Sequence, residues 1–289
     1  MLARTNTQAK NTRINLLTAV LFIVSVVLIP APARAATINS SGPLTQIVTG
    51  NQLNCELRHR DDGQGVWFNN SACGTFISAN NTLFGPSSTP GTSFARTGYN
   101  AISSTQSGQG TAGSPYIGTT TVSLPGTSLT ATQTDTYITG NDFLTSSLQI
   151  FNSAGTSAST TLYTAGNCFL QESDNGYGLL ETGKVGCKTT PTGNRTLALT
   201  ATSPGASIQE ATPSTIWQVV GTQGSFNNTC ACDTYHDNAV GISWPVSIPG
   251  GGSSTQSWTT SVTPKSFAPL ALSITADAPT SAPGAINGY

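Results

Sequence analysis

The sequence predicts an all-β fold, a large supersandwich-like antiparallel β-sandwich with disulfide-pinned loops. Three observations carry this. First, between Pro125 and Leu170 the residues Leu129, Ala131, Gln133, Asp135 and Tyr137 alternate with Thr130, Thr132, Thr134, Thr136 and Ile138. Leu144, Leu148 and Ile150 then share one side of a second run, with Phe143 and Phe151 on the other, and Thr160 to Ala165 reads as a third. Period-two spacing broken by Gly/Asn corners marks an antiparallel meander. Second, charged residues are only 8% of the 289, while Gly (30) and Pro (16) are abundant, so turns and exposed strand faces are better served than helices. Third, all six cysteines follow the N-terminal apolar segment, and an even count in an exported chain favours disulfides.

Residues 1–35 read as a secretory signal peptide. Arg4, Lys10 and Arg13 precede an apolar run from Ile14 to Ile29, Pro30 ends it, and Ala33-Arg34-Ala35 offers a small-x-small cleavage site before Ala36. The alternative is an uncleaved single-span anchor, because the run is nearly long enough to cross a bilayer. Cleavage removes four of the eleven basic residues and none of the twelve acids, which leaves a formal charge of −5. A mildly acidic chain is a poor polyanion binder. Nucleic acid is excluded as a partner on this ground, and membrane contact is expected only through the signal segment during export.

Residues 36–264 read as one β-sandwich domain. Ala36 to Gly50 is a first strand and Leu53 to His59 a second. Arg58, His59, Arg60, Asp61 and Asp62 form the densest charge cluster and read as a solvated hairpin tip, because Asp61-Asp62-Gly63 is turn chemistry. Leu83 to Gly113 reads mostly as long loops, with a strand near Phe94 to Tyr99, and Tyr116 to Leu124 leads into the meander. Gly183 to Thr189 and Leu197 to Leu199 are short strands. Ala206 to Gln218 has room for one helical turn, after which Ile216 to Val220 reads as a buried strand. Ile242, Trp244, Val246 and Ile248, the turn Pro249 to Ser253, and a return through Trp258 and Val262 spell out a hairpin. Trp217, Trp244 and Trp258 sit within strand alternation and read as core. Residues 265–289 read as a Pro/Ala/Gly-rich linker and the start of another, truncated module.

Local disulfide pairing is expected, Cys55 with Cys73 and Cys168 with Cys187, which leaves Cys230 and Cys232. A bridge across one residue is strained, so pairing of Cys230 or Cys232 with Cys168 or Cys187 is the alternative. Cys-x-Cys is the wrong spacing for a zinc ribbon.

Two loops carry the residues most suited to chemistry. Glu172 and Asp174 lie in 171–178, and Asp233, His236, Asp237 and Asn238 lie in 230–238. Two acids, an Asn and two Gly in 171–178 could hold Ca²⁺, although the loop lacks EF-hand spacing, and His236 with Asp233 and Asp237 could bind a metal or serve as an acid/base pair; otherwise no cofactor is expected. The only histidines are His59 and His236, and no Gly-x-Ser-x-Gly elbow is present, so no catalytic residues are assigned. If the chain were an enzyme, Glu172 or Asp174 with Asp233 or Asp237 would be the carboxylate pair of a glycosidase or lyase. An internal Lys–Asn cross-link through Lys184, Lys188 or Lys265 is conceivable, but nothing in the sequence selects it. Asn39, Asn69, Asn80, Asn194 and Asn227 open Asn-x-Ser/Thr sequons.

A resemblance rests on Cys55 to Cys73, Gln133 to Tyr137, Leu162 to Cys168, and Cys230 through Asp237-Asn238 to Trp244. These stretches resemble an exported surface domain found in large secreted proteins of actinobacteria and chloroflexi. Ile274 to Tyr289 is similar to the opening of the immunoglobulin-like repeats that follow in such proteins. The export signal, the low charge and the missing catalytic set point to a secreted or wall-exposed structural or adhesive module. Its expected partners are an extracellular glycan, held by the 171–178 and 230–238 loops, or a surface protein. The resemblance implies no assigned chemistry.

Overall fold

The computed structural model describes residues 34–263. The expectations for the signal segment and for residues 265–289 lie outside the described residues. In chain order the strands are β1 (Ala36–Asn39), β2 (Leu44–Thr49), β3 (Cys55–His59), β4 (Cys73–Ala79), β5 (Thr82–Gly85), β6 (Thr97–Gly98), β7 (Asn100–Ser107), β8 (Tyr116–Ser123) and β9 (Leu129–Tyr137). They continue as β10 (Phe143–Asn152), β11 (Ala158–Asn167), β12 (Asn175–Glu181), β13 (Lys184–Lys188), β14 (Thr196–Ala201) and β15 (Ser207–Ala211). Helix α1 (Pro213–Gly221) precedes β16 (His236–Asp237), β17 (Ala239–Ile248) and β18 (Ser253–Thr263).

The predicted all-β sandwich is what forms. One layer is a nine-stranded sheet in the order β16-β12-β13-β14-β18-β10-β9-β8-β7. Against it lie a six-stranded sheet, β15-β17-β11-β4-β5-β6, and the three-stranded β1-β2-β3. All pairs are antiparallel except β5–β6. The alternation read in β9 is real, with Leu129, Ala131, Gln133, Asp135 and Tyr137 all facing inward. In β10, Leu144, Leu148 and Ile150 are buried while Phe143 and Phe151 are exposed.

Two expectations about connection fail for one reason. The 242–262 hairpin does not form, because β17 pairs with β11 and β15 while β18 pairs with β10 and β14. Pro249–Gly252 is instead a corner that carries the chain from one sheet to the other. The third run of the meander, β11, likewise leaves the sheet of β9 and β10. The two corners brace each other through Gly251 N–H to Ala154 O (2.8 Å) and Asn152 N–H to Gly252 O (2.9 Å). Alternation tells which face of a strand is buried, and the same face serves either sheet. Trp244 and Trp258 both point inward and meet across the layers with ring centroids 6.1 Å apart.

The run Ile216 to Val220 is helix α1, not a strand. Thr212 precedes Pro213 at the first helical position, where a missing N–H costs nothing. Ile216, Trp217 and Val220 then share one buried face. They join Phe76, Leu83, Tyr163, Ala165, Phe226 and Ala239 in a second core on the outer side of the six-stranded sheet. β17 is therefore covered on both faces over its first six residues. The 83–113 segment is also more ordered than expected. β7 is an eight-residue edge strand whose side chains are almost all exposed, so no apolar alternation betrays it.

The charge cluster is not simply a solvated tip. His59 is 2% exposed, the Asp62 side chain is 3% exposed, and both sit near the fully buried Arg195. Arg195 Nε lies 3.4 Å from Asp62 Oδ2, and its Nη1 donates to Thr263 O at 2.9 Å. His59 Nδ1 accepts from Asp61 N–H at 3.2 Å, so its ring is neutral with the proton on Nε2. Burial and Arg195 lower its pKa. The cluster closes one end of the sandwich, with Arg60 and Asp61 left outside.

All three disulfides are local: Cys55–Cys73, Cys168–Cys187 and Cys230–Cys232. The first ties the three-stranded sheet to the six-stranded one, next to the Asn54–Gly74 bridge. The second joins the end of β11 to β13 and so links the two main sheets. The bridge across Ala231 forms in place of the rearranged pairing. Lys184 pairs with Glu181 at 3.2 Å and Lys188 caps Pro191 O at 3.2 Å, which leaves both ammonium groups at the surface rather than beside a core amide.

Candidate functional site

The loops 171–178 and 230–238 converge at one edge of the sandwich. The short strand β16 adds to β12 with Asn175 opposite Asp237 and Gly176 opposite His236. Asn238 locks the pairing from beneath, its amide donating to Tyr177 O (3.1 Å) and its backbone N–H to Asp174 O (3.2 Å). Gly176 makes this approach feasible, because a β-carbon there would sit 2.5 Å from Lys188 O.

Beneath β16 lies Glu210, a residue that loop composition did not flag. It stands on β15, in the opposite layer, and is 1% exposed. Gly178 on β12 opens the space for it, since a β-carbon there would strike Glu210 Oε2 and Cys230 Sγ. Glu210 Oε2 accepts from Ala231 N–H at 2.9 Å, inside the small ring closed by Cys230–Cys232. Glu210 Oε1 lies 3.1 Å from His236 Nε2. His236 Nδ1 donates to Thr234 O at 2.9 Å, because a carbonyl can only accept. Glu210 Oε1 and His236 Nε2 face each other, and neither has another hydrogen-bond partner among the described residues. Burial raises the Glu210 pKa, and the opposing pull of His236 and the Ala231 N–H does not cancel it.

Asp237 sits beside this pair. Its carboxyl is also held above the ordinary range, first by burial and then by the negative charge of Asp174, with His236 pulling the other way. Tyr177 and Tyr235 form the outer ledge, their rings 5.4 Å apart and inclined at 53°. Tyr235 is 56% exposed. Asn175 Nδ2 donates to Asp174 Oδ1 at 3.1 Å on the same rim.

Four of the six predicted loop residues therefore come together: Asp174, His236, Asp237 and Asn238. Asp233 is exposed on the outer turn. Glu172 points the other way, into the space over Gly63 next to the 58–62 cluster. Among the described residues no group of three or more His, Cys, Asp and Glu side chains is placed to hold a metal ion, so the Ca²⁺ expectation gains no support from geometry. A β-strand residue such as Glu210 could be flagged only by noticing an acid within the apolar-flanked run Ser207 to Ala211.

A second surface feature is a groove of about 420 Å³ on the helical side, walled by Phe94 and Trp217 with Ser93, Ser214, Gln218 and Thr222. The Trp217 indole N–H has no hydrogen-bond partner there.

The chain matches no protein-family model, and no curated protein matches its sequence. Solved structures with a related strand arrangement exist. Heparan sulfate lyase HepC from Pedobacter heparinus aligns with a TM-score of 0.47 at 8% identity, over 82% of this chain and 36% of the lyase. A candidate aldose 1-epimerase from Escherichia coli K12 aligns at 0.43 and 9%, over 79% and 98%. Another from Klebsiella pneumoniae aligns at 0.42 and 8%, over 76% and 77%. This chain thus spans about a third of the lyase, and at such scores and identities no chemistry passes from these proteins to it.

Proposed function

We propose that this chain is an exported surface module that binds an extracellular glycan at the Tyr177–Tyr235 ledge without transforming it. The observation that carries the reading is the exposed Tyr235 ring leaning on Tyr177, rimmed by Asp174, Asn175 and Asp237. A pyranose offers a C–H face that packs on an aromatic ring and hydroxyls that pair with carboxylate and amide oxygens. The ledge is held by β16, Asn238 and a disulfide-closed turn, so little ordering entropy opposes binding. Three disulfides fit an oxidising, extracellular compartment. Among the described residues no helix is long and apolar enough to cross a membrane.

One observation favours a second reading. Glu210 facing His236 at 3.1 Å, next to an Asp237 that holds its own proton more tightly than usual, is an acid–base arrangement. A polysaccharide-active hydrolase or lyase would need such a pair. A glycan array run alongside a reducing-sugar and elimination assay separates the two. Binding lost in Tyr235→Ala, with no product formed, supports the module. Turnover that Asp237→Ala abolishes defeats it. Loss of binding in Phe94→Ala alone would move the site to the helical groove.

A further inference from the structure

The core between the sheets holds a polar constellation that the surface site does not use. Thr75 stands on β4 of the six-stranded sheet, 2% exposed, and Gln133 on β9 of the nine-stranded sheet, 5% exposed. Thr75 Oγ1 donates to Gln133 Oε1 at 2.7 Å. The Gln133 amide nitrogen donates to both oxygens of Asp135, at 3.3 and 3.2 Å. Asp135 also accepts from Ser146 Oγ at 2.6 Å and from Thr49 Oγ1. The network thus fixes which end of the amide faces which partner, carbonyl oxygen toward the threonine and nitrogen toward the acid. A cavity of about 40 Å³ adjoins it, lined by Thr75, Gln133 and Asp135 and walled by Trp67 and Trp258. That is room for a water or a molecule of similar size.

We propose that Thr75 and Gln133 are a modification site at which an intramolecular ester cross-links the two sheets. Thr75 Oγ1 attacks Gln133 Cδ and forms the ester bond, the Cδ–Nε2 bond breaks, and ammonia leaves. Asp135, already gripping Nε2, gives its proton to the departing nitrogen. The hydroxyl proton of Thr75 restores it through water in the adjoining cavity. One hydroxyl and one amide become one ester and one ammonia, with no oxidant, reductant or cofactor. Burial raises the Asp135 pKa, against the opposing pull of its hydrogen bonds from Ser146, Thr49 and Gln133. Holding nucleophile and carbonyl in contact replaces a bimolecular encounter with an effective concentration far above any in solution. Escape of ammonia into dilute solvent draws the exchange forward, and the apolar walls keep bulk water from hydrolysing the product.

The test is the mass of the purified full chain, unfolded, with disulfides reduced and alkylated. The expected mass falls short of the sequence by one ammonia, and digestion yields a single species joining the peptides of Thr75 and Gln133. Thr75→Val restores the full mass, and Asp135→Asn leaves most molecules uncross-linked. Peptide mapping of the unmutated chain decides the matter even if Thr75→Val does not fold. Thr75 and Gln133 recovered in separate peptides, or an ammonia loss that persists in Thr75→Val, overturns the assignment.

Discussion

Glu210 and His236 show how one buried contact can tie two layers of the sandwich together. Glu210 reaches from β15 to the turn that bears His236, and burial makes its charged form costly. Its folded pKa lies above the ordinary carboxylate value. The stability it contributes is therefore fully present below that value and is lost as pH rises through the folded pKa. Asp237 and Asp135, also raised, act in the same direction. His59 opposes them, because its folded pKa is lowered: the unfolded chain takes the proton first, and stability is lost as pH falls below the ordinary histidine value. Glu210→Gln tests the pair. The new amide can still accept from Ala231 N–H and donate to His236 Nε2. The variant is expected to stay within about 1 kcal/mol of the parent near neutral pH. Its thermal melts between about pH 4 and pH 8 should show a flatter gain on acidification. An unchanged pH profile would mean that Glu210 is ionised throughout.

The same scale shows where side-chain roles could be read from the chain. Asp174, His236, Asp237 and Asn238 were visible because polar residues in a loop have few structural duties. Glu210, Gln133 and Asp135 were not visible as a group. Each lies on a strand, and at least one partner of each comes from another sheet: His236 for Glu210, Thr75 for Gln133 and Thr49 for Asp135. The inward face of β9 did carry the clue, since Gln133 and Asp135 alternate in phase with Leu129, Ala131 and Tyr137.

At the scale of elements, strand faces were legible and strand partners were not. β17 and β18 each alternate cleanly, and a Gly-rich turn joins them, yet the turn spans the two layers. The consequence is that Trp244 and Trp258 pack across the core rather than along one sheet. Trp244→Ala should cost about 3–5 kcal/mol, read from denaturant unfolding, because it leaves a void between layers. A helical turn is expected within 206–218, but the rest of helix α1 reads as a strand because Ile216, Trp217, Val219 and Val220 suit a strand and a helix alike. Thr212-Pro213 was the available start signal. The Cys55–Cys73 bridge spans 18 residues and holds the three-stranded sheet to its neighbour. Replacing both by Ser should cost about 2–4 kcal/mol. Hydrogen exchange should rise in β1 to β3 before the rest of the sandwich. Uniform loss of protection would show that the small sheet does not open on its own.

For the whole molecule, the composition foretold an uncharged sandwich, and the two layers meet through one continuous apolar core from Ile38 to Val262. Two charged clusters lie at the rim, while Asp135 lies in the core. One cluster, around Arg195, seals an end; the other, around His236, meets solvent beside the tyrosine ledge. The sequence could not separate them, because both read as polar turns. Burial separates them: His59 and Arg195 are enclosed, and Tyr235 is open. The surface-module reading depends on that open ledge. Its most direct test is equilibrium binding of array-selected glycans to the unmutated chain and to Tyr235→Ala, with product analysis of the same mixtures. The expected result is saturable binding that falls at least about tenfold in the variant, a loss on the order of 1.4 kcal/mol, with the glycan recovered intact. Equal binding by both proteins, or a shortened or unsaturated glycan in the unmutated sample, would contradict it.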